Sequence, residues 1–270
     1  MFALSRQAIT SSSVACLCLF AVSLLQFPRM QKLLSDKATT SVEALEREIN
    51  AEEVRLKFLQ KIPTFGYDNL IANWIYLNFL QYFGDDEIRA LSGYGLSPQY
   101  FEVILKHDPR FVNAYLALST SGSMYAGMPE KSVKIMNQGL KSLSPWVPKN
   151  SYYIWRYKGV DELLFLGDSQ AARKSFKNAS QWAKEHSDQE SQFVGAISAQ
   201  TAEFLRNNRD SKYASISAWA MVLSNGTDQK TQERAIREIE ALGGKVISTE
   251  QGNKIQISSE RLILIKGSRE

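Results

Sequence analysis

A chain of 270 residues with 44% hydrophobic and 22% charged side chains can bury a sizeable core and is too apolar to be disordered throughout. Its formal charge of +4 supplies no basic face for nucleic acid, so no nucleic-acid partner is expected. Both cysteines, Cys16 and Cys18, lie in the N-terminal apolar stretch, which excludes a disulfide framework and a thiolate zinc site from the rest of the chain.

Residues 1–30 read as a membrane segment. No residue from Ser12 to Phe27 is charged. Extending back to Ala8 gives about 20 residues, enough to cross a bilayer at ~1.5 Å per residue. Residues 8–27 are therefore expected to anchor the chain in a membrane as a single span. A cleaved signal peptide shares the short polar start and the apolar run, and that alternative stays open. Arg6 precedes the run and Arg29, Lys32 and Lys37 follow it. Basic residues on both sides leave the side of the membrane undecided.

Residues 31–64 read as a charged helical linker. Val42, Leu45, Ile49, Leu56 and Leu59 are apolar, with acidic and basic residues between them, and Glu43 and Arg47 sit at i,i+4. Pro63 ends the pattern. From Phe65 the chain changes character. Asp68 is expected to cap a helix through Trp74, Leu77, Leu80 and Phe83 that stops near Gly84. Apolar residues occupy nearly three of its sides, so heavy burial is expected. Asp85 to Gly95 reads as a loop, and Ser97–Pro98 opens a helix that closes at His107–Asp108–Pro109.

A second pair of helices is expected over 111–125 and 129–143, turning at Gly127, and a third over 152–166 and 169–184, turning at Gly167. The third pair carries the clearest pattern: Gly167–Asp168, then Ala172, Phe176 and Ala179. Spacings of four and three place two small residues and one ring on a single helix face, where a neighbouring helix can approach closely. Ser132, Met136 and Gly139 repeat those spacings in the second pair. A looser fourth pair is expected over 190–206 and 211–223. Residues 226–244 read as an amphipathic capping helix stopped by Gly243–Gly244. Residues 245–270 switch to strand-like alternation around Gln251–Gly252–Asn253 and read as a short β tail.

The Gly-Asp-x-x-x-Ala-x-x-x-Phe-x-x-Ala run and the Asp-Pro ending of the first pair resemble the tetratricopeptide (TPR) repeat family. The resemblance covers residues 67 to 224 and implies an all-α fold: a TPR-like α-solenoid of about four helical hairpins over 65–225, followed by the capping helix. In that family the first helix of each pair lines an inner wall that holds an extended peptide or a partner's helix. On those helices here stand Asn69, Asn73, Asn113, Tyr115, Arg156 and Lys158, which become the candidate partner-binding residues. Asn69 and Asn73 share a face, and an amide can donate to and accept from a peptide backbone at once. Some chaperone-binding members hold a terminal carboxylate with Lys, Asn and Arg; an asparagine stands where the first clamp lysine belongs.

Catalytic signals are sparse. His107 and His186 are the two histidines, and His107 reads as a cap that complements the dipole of its own helix. The adjacent carboxylates Asp161–Glu162 and Asp85–Asp86 point in different directions on a helix and read as solvated or helix N-terminal charges. No phosphate loop, nucleophile elbow or metal box appears. The expectation is a non-enzyme without cofactor or metal: a membrane-tethered scaffold or assembly factor that holds a client protein. The resemblance extends to anchored TPR proteins of bacterial inner and photosynthetic membranes. The alternative is a permanent structural subunit of a larger membrane complex.

Overall fold

A computed structural model describes residues 14, 16–24, 26–28, 30, 42–207, 211–225, 228–249, 252–257 and 261–264. They divide into two compact units, residues 1–48 and 49–270. In the first unit the described residues between 14 and 30 are helical. No helix among the described residues is long and apolar enough to cross a membrane, and much of the expected anchor at 8–27 lies outside them.

The second unit is all-helical apart from a small sheet at its C-terminal end. Helix α1 (Val42–Leu59) crosses the boundary between the units. Its second half departs from a free linker, because Leu56 and Leu59 are buried in a core with Phe101, Ile104 and Leu118. Burying a leucine contributes about 1.5–3 kcal/mol, which outweighs the charged character of the surrounding sequence.

Helix α2 (Asp68–Gly84) packs on α4 (Ser97–His107), with Phe79 edge-on to Phe101 at 4.5 Å between ring centroids. Asp68 does not cap α2: the residue at the cap is Tyr67, and its side chain makes no capping bond. The Asp68 carboxylate instead lies 3.3 Å from His107 Nδ1, while His107 Nε2–H donates to the Leu59 carbonyl at 3.0 Å. His107 thus ties together the end of α1, the start of α2 and the end of α4. Between α2 and α4 the expected loop contains a short helix, α3 (Asp86–Ser92). Asp85 caps it by accepting from the Ile88 amide, and Gly93 closes it at φ +67°.

The expected helix over 111–125 splits in two. Residues Val112–Leu118 form α5, and Ser119–Tyr125 widen into a π-helical turn. Gly122 permits the close approach of α6 (Pro129–Leu140), since a Cβ there would lie 2.4 Å from Ser132 Oγ.

Helices α7 (Tyr152–Leu164) and α8 (Ser169–Lys184) pack as the small-residue pattern requires. Gly167 takes φ +64°, and the Asp168 carboxylate accepts from the Gln170 and Ala171 amides. Ala172 and Ala179 are fully buried, and the Phe176 ring fills the space over Gly159, where a Cβ would come within 3.2 Å of it. Helix α9 (Gln189–Asn207) also packs on α8, and Arg156 and Tyr153 of α7 reach it directly through Ser198 and Glu190.

The expected fourth pair is not a packed hairpin. Helix α10 (Lys212–Asn225) leaves α9 and packs on α7, the π-helical turn and α11 (Gln229–Ala241). Two bonds fasten it there: Ser215 Oγ donates to the Leu163 carbonyl and Trp219 Nε1 to the Phe165 carbonyl, both at 3.2 Å. These carbonyls belong to the C-terminal end of α7, which lacks intrahelical donors, so α10 supplies what the helix end needs.

Asp228 caps α11 by accepting from the Thr231 amide at 3.0 Å, and Gly243 turns the chain at φ +83°. Strands β1 (Gly244–Thr249), β2 (Gly252–Ile257) and β3 (Arg261–Leu264) form an antiparallel meander. Gly252 and Asn253 therefore belong to a strand rather than to the turn. Ile255, at the centre of the middle strand, pairs with Val246 and Ile263 and is fully buried. It packs in a cluster with Trp219, Val222 and Ile239, which stabilises a sheet too small to stand alone.

Candidate functional site

The six candidate residues part into exposed and interior groups. Asn69 and Asn73 are exposed on α2, and Asn113 is exposed on α5. Tyr115 is fully buried. Its hydroxyl donates to the Pro109 carbonyl at 2.8 Å and lies against Gly139, so it is core rather than wall. Burial pushes its phenol well above the usual range. Arg156 is half-buried and donates to Ser198 Oγ at 2.9 Å, spanning from α7 to α9. Lys158 is buried in an ion pair with Glu162. The structure withdraws Tyr115 and Lys158 from any surface, and it engages Arg156 internally.

Around the exposed asparagines lies a feature opposite to the heavy burial expected of α2. Its inner side, through Ala72, Ile75 and Phe79, is fully packed. Its outer side exposes Leu70 at 63%, Trp74 at 48%, Leu77 at 59% and Leu80 at 46%. Leu70, Trp74, Leu77 and Gln81 follow one another at spacings of four, three and four, which aligns them along the helix. Asp68 is the one charged residue of α2. The face is therefore a ridge of large apolar side chains flanked by amides, to which α2 itself adds no charge beyond Asp68, while the Arg55 guanidinium of α1 lies over the Trp74 ring at 5.3 Å from its centroid. Asn78 Nδ2 is turned inward onto the Trp74 carbonyl, leaving Asn69 and Asn73 as the amides beside the ridge. Tyr67 and Phe65, just before α2, are also exposed. On α5, Leu116 is exposed one turn from Asn113, and the Tyr76 and Phe111 rings meet at 4.9 Å where α2 approaches the start of α5.

A second constellation is interior. Asp161 and Glu162, expected as solvated charges, are both buried. Asp161 accepts from Ser119 Oγ and Ser123 Oγ, each at 2.7 Å, so α7 holds the π-helical turn through one carboxylate. Burial is the main cause that pushes its carboxyl up to about 7; the two serine bonds oppose that shift and nearby Glu162 adds to it. Glu162 accepts from Lys158 Nζ and from Ser175 Oγ on α8, and Lys158 also donates to Ser175 Oγ at 2.9 Å. Every partner of these carboxylates except Lys158 lies on another element. The i,i+4 spacing of Lys158 and Glu162 was the one local sign of the pairing.

A shallow pocket of about 220 Å³ lies between α4 and α6, lined by Leu105, Pro109, Ile135 and Gly139 with Glu102 and Lys106 beside them. It contains none of the six candidates. Among the described residues no group of three His, Cys, Asp or Glu side chains is placed to hold a metal ion.

No family model, no curated protein and no solved structure matches this chain.

Proposed function

We propose that this chain is a membrane-tethered scaffold or assembly factor, and that the outer face of α2 is where it holds a client protein. The observation that carries this reading is the ridge Leu70–Trp74–Leu77, left in water beside Asn69 and Asn73. Full burial of each such side chain is worth about 1.5–3 kcal/mol, so covering the ridge is strongly favourable. Its spacing of four and three is the seam that a second helix fills with its own apolar residues. With no charge from α2 along the ridge and the Arg55 guanidinium over Trp74, the face suits a partner segment that is mainly apolar at the contact. Asn69 and Asn73 would then bond the polar edge of that segment.

The TPR-like reading draws support from the Gly167–Asp168 turn, the Ala172–Phe176–Ala179 face and the matching Gly139 of the second pair. It extends over three pairs, because α10 returns to α7 instead of pairing with α9. The tether draws support from the uncharged run of residues 12–27 and from the exposed side chains of Leu17, Leu19, Phe20 and Leu24. Tethering raises the local concentration of a membrane-bound client, so a single helix face could suffice for capture. We read the chain as non-catalytic, since its closest acidic cluster, Asp161 and Glu162, is sealed from solvent.

Exposed aromatic residues elsewhere, at Trp146 and Phe193, favour a second reading as a permanent structural subunit. A subunit co-purifies at a fixed ratio through salt washes, whereas a client does not.

The test is Leu70→Asp with Leu77→Asp in the full-length chain. Both sites are exposed, so each change is expected to alter stability by no more than about 0.5 kcal/mol. Client recovery on purification from membranes should fall at least tenfold. Undiminished recovery from a folded double variant overturns the assignment of the site.

A further inference from the structure

We propose that Asp161, Ser119 and Ser123 form a proton-binding latch, in which uptake of one proton by the buried carboxylate re-aims one of the two serine hydroxyls and shifts the π-helical turn between α5 and α6. The argument starts from donor and acceptor counts. An ionised carboxylate only accepts, and here each of its oxygens accepts one serine hydroxyl at 2.7 Å. A carboxylic acid must donate its own hydrogen. One serine oxygen then has to become the acceptor, and the hydrogen on that serine needs a new partner.

The backbone offers one. A serine in a helix can donate to the carbonyl four residues earlier, as Ser121 already does to Ala117 at 2.7 Å. Whichever serine accepts the carboxyl hydrogen would turn its own to the backbone in the same way, Ser119 to the Tyr115 carbonyl or Ser123 to the Ser119 carbonyl. This segment is where the ladder is already loosened: the Ala126 amide bonds the Ser121 carbonyl and the Met128 amide bonds the Gly122 carbonyl, spans of five and six residues. A π turn differs from an α turn by one residue per loop, and such turns recur at functional positions. Changing which serine donates therefore acts on the π-helical turn itself, not on a regular α-helix.

The carboxyl is isolated enough for one proton to matter. On its own helix the neighbouring charges are Glu162, which disfavours ionisation, and Lys158, whose ammonium is held by Glu162 and Ser175. Helix α5 carries no charged residue. Glu130, Lys131 and Lys134 on α6, Arg173, Lys174 and Lys177 on α8, Lys212 on α10, and Glu102 and Lys106 on α4 are exposed, and His107, half-buried at the end of α4, faces Asp68 and the Leu59 carbonyl. Of the titratable groups packed nearby, Tyr115 is engaged with Pro109. Burial leaves the carboxyl poised near neutral pH, where a modest change in acidity loads or empties the site. Such a change accompanies movement across an energised membrane, which would let the turn respond to the compartment it faces. The latch stands on geometry separate from the α2 ridge.

Two measurements on the full-length chain test it. In the first, the side-chain carboxyl carbons of aspartate are labelled and followed by NMR between pH 4 and 9. One resonance, absent in Asp161→Asn, should titrate with a midpoint near 7. A midpoint for Asp161 in the ordinary aspartate range overturns the proposal without reliance on any variant's fold. In the second, amide hydrogen exchange over residues 116–128 is compared across pH after correction for intrinsic rates. Protection should change at least threefold with the same midpoint, and Asp161→Asn should hold the low-pH pattern throughout. Protection that ignores pH in the native chain, or that keeps its midpoint in Asp161→Asn, also overturns it.

Discussion

The hydroxyl of Tyr115 occupies the place where a side chain at position 139 would begin: a Cβ on Gly139 would lie 1.9 Å from the Tyr115 oxygen. Glycine is therefore demanded at 139 by a ring from α5 that crosses onto α6, not by backbone freedom. Gly139→Ala should destabilise the fold by about 1–3 kcal/mol, because the ring must leave its rotamer or its bond to Pro109. Chemical denaturation measures this directly. An alanine variant as stable as the native chain would mean that Tyr115 has room to move.

The interior ion pair makes an asymmetric prediction. Lys158→Met leaves Glu162 buried with no counter-ion and should cost about 3–5 kcal/mol. Lys158→Met together with Glu162→Leu removes both charges and should recover most of that loss. A double variant as unstable as the single one would mean that the pair, with its bonds to Ser175, contributes more than its desolvation cost.

The return of α10 onto α7 can be tested through its anchors. Trp219→Phe keeps the ring against Phe165 and loses the indole bond to the Phe165 carbonyl, at an expected cost of about 1 kcal/mol or slightly more. Ser215→Ala should cost a similar amount by exposing the Leu163 carbonyl. Both losses should appear as faster amide exchange at the C-terminal end of α7, since that is the helix end they satisfy. Loss of protection confined to α10 would assign the bonds no capping role.

Acidity enters through Asp161. Its folded-state value of about 7 lies above the ordinary aspartate range near 3.9, so the folded chain holds a proton that the unfolded chain has released. That contribution to stability is present in full below about pH 4, and it is lost as pH rises toward and through 7. Above that it adds no further slope. Asp161→Asn should flatten the decline between pH 5 and 7.5 in thermal melts, and an unchanged slope would place the titrating group elsewhere.

What the sequence made legible is what neighbours in sequence decide. Gly167, Asp168, Ala172, Phe176 and Ala179 act within one turn and one helix, and each stands where its spacing placed it. The burial of Asp161 and Glu162 could not be read the same way. Asp161 meets serines 42 and 38 residues away, and nothing in its local pattern separates it from a solvated carboxylate. The reverse error arose at α2, where hydropathy describes what a helix would like to bury and not whether the fold supplies anything to cover it. The same limit applies to α10: its small-residue spacing matches a repeat helix, but Ser215 and Trp219 are satisfied by the end of α7 rather than by α9.

Among the candidate binding residues, the inner wall that the TPR resemblance implies selected Asn69 and Asn73 together with Tyr115 and Lys158. The first two lie on an open face, while the others are drawn inward by Pro109 and Glu162. Side-chain length allowed both outcomes. Only the packing of α6 on α5 and of α8 on α7 separates them.

The account depends most on α2 being covered by another protein. A photo-reactive phenylalanine analogue at position 77, with the same analogue at exposed position 193 as the control, tests this in intact cells. The account predicts a discrete protein adduct from position 77 that is absent from position 193 and disappears when Leu70 is changed to Asp. No protein adduct from position 77, with one formed at position 193 instead, would contradict it.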